Sequence, residues 1–190
     1  MTGAARAPGP RLRSSLVWAP FALTSVAVRR HEIAAWEARV SRRLNNLPAG
    51  LRLPMWAVMQ TGAFASPLVL GGAALAAGRP TLARGLLESG LGAYFAAKAV
   101  KRAVGRARPT HFLPATLIRG RAQTGDGYVS GHAAVSMALA VEAHRHLGRR
   151  SWPLVVVVAP AVGIARIYVG AHLPLDVVGG LSLGWAIAHR

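Results

Sequence analysis

Lys101, Arg108 and Arg166, with Ser130, His132, His172 and Asp176, lie in three short polar islands, each at the end of an apolar segment: Lys101 to Pro109, Ser130 to His132, and Arg166 to Asp176. They supply three fixed cations, a hydroxyl, two imidazoles and a carboxylate. Holding a phosphate and displacing something from it needs these parts: cations where charge spreads, a nucleophile, and a group that carries a proton.

Each island also predicts its own local structure. Pro109 disfavours helical backbone at Arg108, so a helix is expected to end there, with Lys101 and Arg108 two turns apart at one end of a span. Taken alone, a basic helix end snorkels to headgroups, and Arg102 and Arg106 read as residues of that kind. Ser130 suits an N-cap, which aims the free N–H groups from Gly131 onward, and the positive end of the helix dipole, at a bound anion. His132 then stands at the mouth of the same helix. Pro174 suits a first helical turn, which puts His172 just before that helix and Asp176 within its first turn. Asp176 is one of only six acids in the chain. A carboxylate beside a histidine fixes its tautomer and stabilises the cation formed when the other nitrogen attacks.

The elements that must position these residues read as membrane helices. The chain has 190 residues, 53% of them hydrophobic, and a mean hydropathy of +0.35. That exceeds what a soluble domain carries. The absence of cysteine excludes a disulfide framework, a thiol nucleophile and a thiolate metal site. The net charge of +17 sits mostly at the ends of apolar stretches and not in one stripe, and no nucleic-acid motif accompanies it. Anionic lipid surfaces and phosphate-bearing substrates are therefore the expected partners, and nucleic acid is not.

Residues 1–14 read as a disordered basic tail and 15–190 as one membrane-embedded domain. Residues 15–28 form a first apolar run, interrupted by Pro20, that fits a membrane helix or, through Ser25-Val26-Ala27, a signal-like segment. Residues 30–47 read as an amphipathic helix in the interface, with Ile33, Trp36, Val40 and Leu44 on one side and Glu37, Arg39, Arg42 and Arg43 away from it. Stronger spans follow at 54–77, 82–103, 132–148, 152–168 and 174–189. The expected fold is thus all-α, an integral membrane bundle of about six helices, with Gly180 and Gly184 allowing close helix approach. If the last four spans alternate across the membrane, all three islands meet at one face.

Lys101-x6-Arg108-Pro109, Ser130-Gly131-His132 and Arg166-x5-His172-x3-Asp176 together resemble the three-part signature of the type 2 phosphatidic acid phosphatase (PAP2) family, which also includes vanadium haloperoxidases. Two positions depart from it: Val129 stands where the family usually has proline, and Ala165 where it usually has serine. The resemblance implies that His172 attacks phosphorus to form a phosphohistidine, with Asp176 orienting it. It also implies that His132 protonates the leaving oxygen and then activates water, while Lys101, Arg108, Arg166, Ser130 and the Gly131 N–H hold the phosphoryl oxygens. No cofactor or metal is called for, and so few carboxylates argue independently against a two-metal site.

The implied substrate is the terminal phosphate of a membrane lipid: phosphatidic acid, phosphatidylglycerophosphate, or a polyprenyl phosphate or diphosphate. The implied location is a bacterial-type plasma membrane with the site on its extracytoplasmic side. Transfer to an alcohol, or a non-catalytic membrane protein with a decayed site, are the alternatives. His144, Arg145, His146, Arg149 and Arg150 read as an opposite-face loop. His111, Arg119, Arg121 and Asp126 fall in the loop between the first two islands, a place for headgroup selection. Trp18, Trp36, Trp56, Trp152 and Trp185 read mostly as interfacial anchors.

Overall fold

The computed structural model describes residues 14–29 and 32–190, so the expected basic tail lies almost wholly outside the described residues. Every regular element among them is helical: α1 (Ser14–Val28), α2 (Ala35–Asn45), α3 (Arg52–Gln60), α4 (Ser66–Ala76), α5 (Pro80–Val104), the short α6 (Pro109–Phe112), α7 (Gly131–Leu147), α8 (Ala159–Tyr168) and α9 (Pro174–Ala188). A π-helical turn, Leu154–Val158, leads into α8. Pro160 has no N–H to give to an i−4 carbonyl, and the wider turn before it absorbs that loss.

Helix α7 is the centre of the bundle. Ala133, Ala134, Val135 and Ala138 are fully buried, and α5, α8 and α9 pack around it. Its small side chains let α9 come close: a Cβ at Gly180 would fall on the Ser130 carbonyl, and one at Gly184 on the Ala134 carbonyl. The expected GxxxG seam is therefore the α7–α9 contact. Helix α1 lies against α9, and its Thr24 and Ser25 hydroxyls meet the Tyr128 hydroxyl at 2.8 and 2.9 Å.

Four expectations need correction. The 54–77 segment is not one span but two helices, α3 and α4, parted at Thr61–Ala65. Helix α5 stops at Val104 and not at Arg108, because Gly105 takes the left-handed conformation (φ 62°) and donates to the Lys101 carbonyl. Helix α2 buries Glu37, Ala38, Ser41 and Asn45 while Trp36 is exposed, so the face turned inward is the small and polar one. His144 to His146 form the last turn of α7 and not a loop, with Arg145 and His146 held near the buried Glu142.

No helix among the described residues is long and apolar enough to cross a membrane by itself. Helix α9 has 15 residues, about 22 Å at 1.5 Å each, against roughly 30 Å of hydrocarbon.

Candidate active site

The C-terminal ends of α5 and α8 and the N-terminal ends of α7 and α9 lie together, and backbone bonds lock them. The Ser130 N–H donates to the Asp176 carbonyl at 2.8 Å, and the Gly127 N–H to the Arg106 carbonyl. All three islands thus meet at one end of the bundle, as alternating helices require.

Lys101, Arg108, Gly131, His132, Arg166 and His172 line one cavity of about 230 Å³. Backbone carbonyls position two of the cations. Lys101 Nζ donates to the Asp126 and Gly127 carbonyls, both at 3.1 Å. Arg108 donates to those of Gly125 (3.0 Å), Thr124 (3.2 Å) and Ala171 (2.8 Å). Arg166 is buried, its Nη1 lying 3.7 Å from the Met59 sulfur, and its Nε has no hydrogen-bond partner among the described residues. A buried guanidinium with donors to spare suits an anion that brings its own acceptors. Ser130 caps α7, its hydroxyl accepting from the Ala133 N–H at 3.4 Å. Ser130 itself is fully buried and is not among the residues lining the cavity.

His172 sits in the α8–α9 connection, 3% exposed, with Nδ1 3.6 Å from Asp176 Oδ2. That exceeds hydrogen-bond length, and catalytic pairs commonly tighten only when substrate binds. Burial, and after it the Lys101, Arg166 and Arg108 charges, hold the His172 imidazole well below its usual pKa. Both effects favour the neutral imidazole. Asp176 Oδ2 also accepts the Leu173 N–H at 2.9 Å, which fixes the carboxylate at the start of α9.

Two residues of this assembly were not expected. Arg106 does not snorkel: it is 1% exposed and donates to Asp176 Oδ1 at 2.8 Å and to both oxygens of Glu37 at 3.1 and 2.7 Å. Glu37, fully buried, also accepts the Leu175 N–H at 3.0 Å. Helix α2 thus reaches the Asp176 carboxylate through one guanidinium. The sequence signal for Glu37 was its place on a stripe of Ala38, Ser41 and Asn45. Its charge suggested a solvated face, and only the partner from another element reverses that. Gln123, Thr124, Tyr94 and Lys98 also line the cavity, whereas His111 is exposed outside it.

The described residues thus form an all-helical bundle whose helix ends bring three cations and two histidines to one small cavity, with a carboxylate behind them. A sequence model of the PAP2 superfamily matches residues 82–190, and the chain belongs to that superfamily. It is 36% identical over 108 residues to decaprenylphosphoryl-5-phosphoribose phosphatase of Mycobacterium tuberculosis, a match covering 55% of this chain and 58% of that one. It is 34% identical over 84 residues to undecaprenyl-diphosphatase of Sulfolobus acidocaldarius, covering 44% and 41%. The chain therefore matches only about half the length of these relatives. The fold is similar to that of a PAP2-type phosphatidylglycerolphosphate phosphatase from Bacillus subtilis, with a TM-score of 0.73 at 20% identity over 93% of this chain and 92% of that one.

Proposed function

We propose that this protein is a membrane phosphatase that removes the terminal phosphate of a lipid phosphate through a phosphohistidine, without a metal. The observation that carries the reading is the common lining of one small cavity by Lys101, Arg108, Arg166, His132 and His172, with Asp176 behind His172. Lys101, Arg108, Arg166 and the Gly131 N–H hold the phosphoryl oxygens, and Ser130 fixes the helix start that presents that N–H. His172 Nε2 forms a bond to phosphorus as the bond to the leaving oxygen breaks, and His132, which takes up a proton when the bound phosphate dianion offsets the Lys101 and Arg166 charges, gives that proton to the oxygen. His132 then takes a proton from water, whose oxygen displaces His172 and releases inorganic phosphate. The Asp176 carboxylate offsets the positive charge on His172 while the P–N bond exists.

The membrane reading is supported by exposed apolar residues on several helices, among them Leu23, Val26, Leu68, Val69, Phe95, Val157 and Val178. The relatives' names support lipid phosphates as the substrate class. A bundle of about six membrane segments, in a bacterial plasma membrane with the site on the extracytoplasmic face, is part of the same proposal. Phosphate release by the purified protein in detergent, from phosphatidic acid, phosphatidylglycerophosphate and polyprenyl phosphates, tests it. Activity on one class, undiminished by EDTA, is expected. Turnover that vanished on chelation and returned with magnesium would contradict the mechanism, and phosphate passed to an added alcohol instead of water would mark a transferase.

A further inference from the structure

Asp176 turns Oδ2 toward His172, while its other oxygen, Oδ1, accepts from Arg106 Nη1 at 2.8 Å. A guanidinium in that place works against the role given to the carboxylate. Arg106 is 1% exposed, and a buried positive charge bonded to Asp176 cancels the negative charge that His172 needs while it carries phosphorus. Glu37 removes the conflict. Its Oε1 and Oε2 accept from Nη1 and Nη2 of the same guanidinium at 3.1 and 2.7 Å, a two-pronged pairing, whereas Asp176 holds a single bond to it. With all three groups ionised, one cation faces two anions. Glu37 meets the guanidinium with both oxygens, so the surplus negative charge falls to Asp176, beside His172. When the P–N bond forms and His172 becomes cationic, the four groups together are neutral. Without Glu37 they would be left with a net positive charge, next to a cavity that already holds Lys101, Arg108 and Arg166.

Glu37 also bears on geometry. Its Oε1 accepts the Leu175 N–H at 3.0 Å, and Leu175 directly precedes Asp176 in the first turn of α9. One carboxylate from α2 thus holds both the guanidinium and the backbone that carry the Asp176 side chain. Stability alone does not call for charges here, because replacing a buried ion cluster by apolar groups of similar volume is often neutral or stabilising. Glu37 lies outside residues 82–190, the stretch that the superfamily model matches, and the three-part signature gives it no role.

We infer that Glu37 is a positioning residue for phosphoryl transfer: by neutralising Arg106 it leaves the Asp176 charge free to offset the His172 cation, while Arg106 holds that carboxylate in place. This deepens the phosphatase reading and rests on it.

The test uses the full chain in detergent, with rates taken per folded molecule recovered by size-exclusion chromatography. Glu37→Gln, close to equal in volume, is expected to lower kcat by about tenfold or more and to leave KM within about twofold, the pattern of a lost partner behind a reacting group. Glu37→Gln combined with Arg106→Gln removes the cation with its counter-charge, leaves no unpaired buried charge, and is expected to regain most of that loss. If the single variant does not fold, the double variant decides: kcat within about tenfold of the wild type is expected, and a larger fall would overturn the role. Two inhibitors separate charge from folding. Inorganic phosphate is held by its oxygens alone, whereas vanadate takes a fifth ligand, here the His172 nitrogen, and so mimics the transition state. Glu37→Gln is expected to weaken inhibition by vanadate about tenfold and inhibition by phosphate hardly at all. Equal weakening of both inhibitors, a raised KM with kcat unchanged, or a double variant slower than the single one would overturn the role, as would kinetics unchanged in Glu37→Gln. Failure of the wild type on every lipid phosphate would instead remove the phosphatase reading, and this role with it.

Discussion

Asp176 is held by two hydrogen bonds, from the Arg106 guanidinium at 2.8 Å and the Leu173 N–H at 2.9 Å, and its Oδ2 stands 3.6 Å from His172 Nδ1. Asp176→Asn keeps the volume but removes the charge that offsets the His172 cation. Turnover is expected to fall by about 10² or more, by analogy with removal of the orienting acid behind other catalytic histidines, and initial-rate kinetics read it directly. His172 itself is expected to stay neutral on acidification, because burial and three nearby cations lower its pKa well below 6.5. The unfolded chain gains a proton below pH 6.5 that the folded one cannot take. This group therefore removes stability as pH falls through that value and has no such effect above it. Ring-nitrogen NMR shifts of His172 that titrated near 6.5 in the ligand-free protein would contradict this. At this scale, the helix starts beside the candidate site were legible, since Ser130 as N-cap and Pro174 in a first turn write them locally. Glu37 and Arg106 were not legible, because a buried ion pair looks the same in sequence as two solvated charges until the fold joins them.

Among elements, α2 contributes most that the sequence concealed. Its apolar period suggested a helix lying on the bilayer by Ile33, Trp36, Val40 and Leu44, yet it is anchored inward by Glu37. Pairing with Arg106 outweighs the hydrophobic stripe, because Glu37 accepts the buried guanidinium donors that Asp176 leaves free and finds its own partner there. Removing one partner of a buried pair costs about 3–5 kcal/mol, so Glu37→Gln is expected to lower the unfolding midpoint in detergent by about 10 °C or more. An unchanged midpoint would show that the pair carries no net stability. The break between α3 and α4 was also hidden, since residues 54–77 read as continuously apolar. The stop at Gly105 is a local one, a glycine in the left-handed C-cap position four residues before Pro109. At the α7–α9 seam, Gly184→Leu must displace the backbone at Ala134, and overpacking of this kind costs about 1–3 kcal/mol or more. Thermal unfolding of that variant should show the loss.

At the scale of the whole molecule, the alternation of α5, α7, α8 and α9 brings together residues separated by as much as 75 positions, from Lys101 to Asp176. Helix order and topology were legible because three polar islands at alternating helix ends leave few ways to converge. The lengths of the elements were not, because packing divides apolar segments at points that hydropathy does not mark. The central claim for the assembled site is that His172 carries the phosphoryl group and His132 moves the protons. Trapping the intermediate with a labelled substrate whose leaving group needs little protonation separates the two. In the His132→Ala variant an acid-labile, alkali-stable label should accumulate and map to His172, because the P–N bond forms but no base activates water, and His172→Ala should take up none. Label on His132 in the His172 variant, or a stable ester on Ser130, would contradict the account.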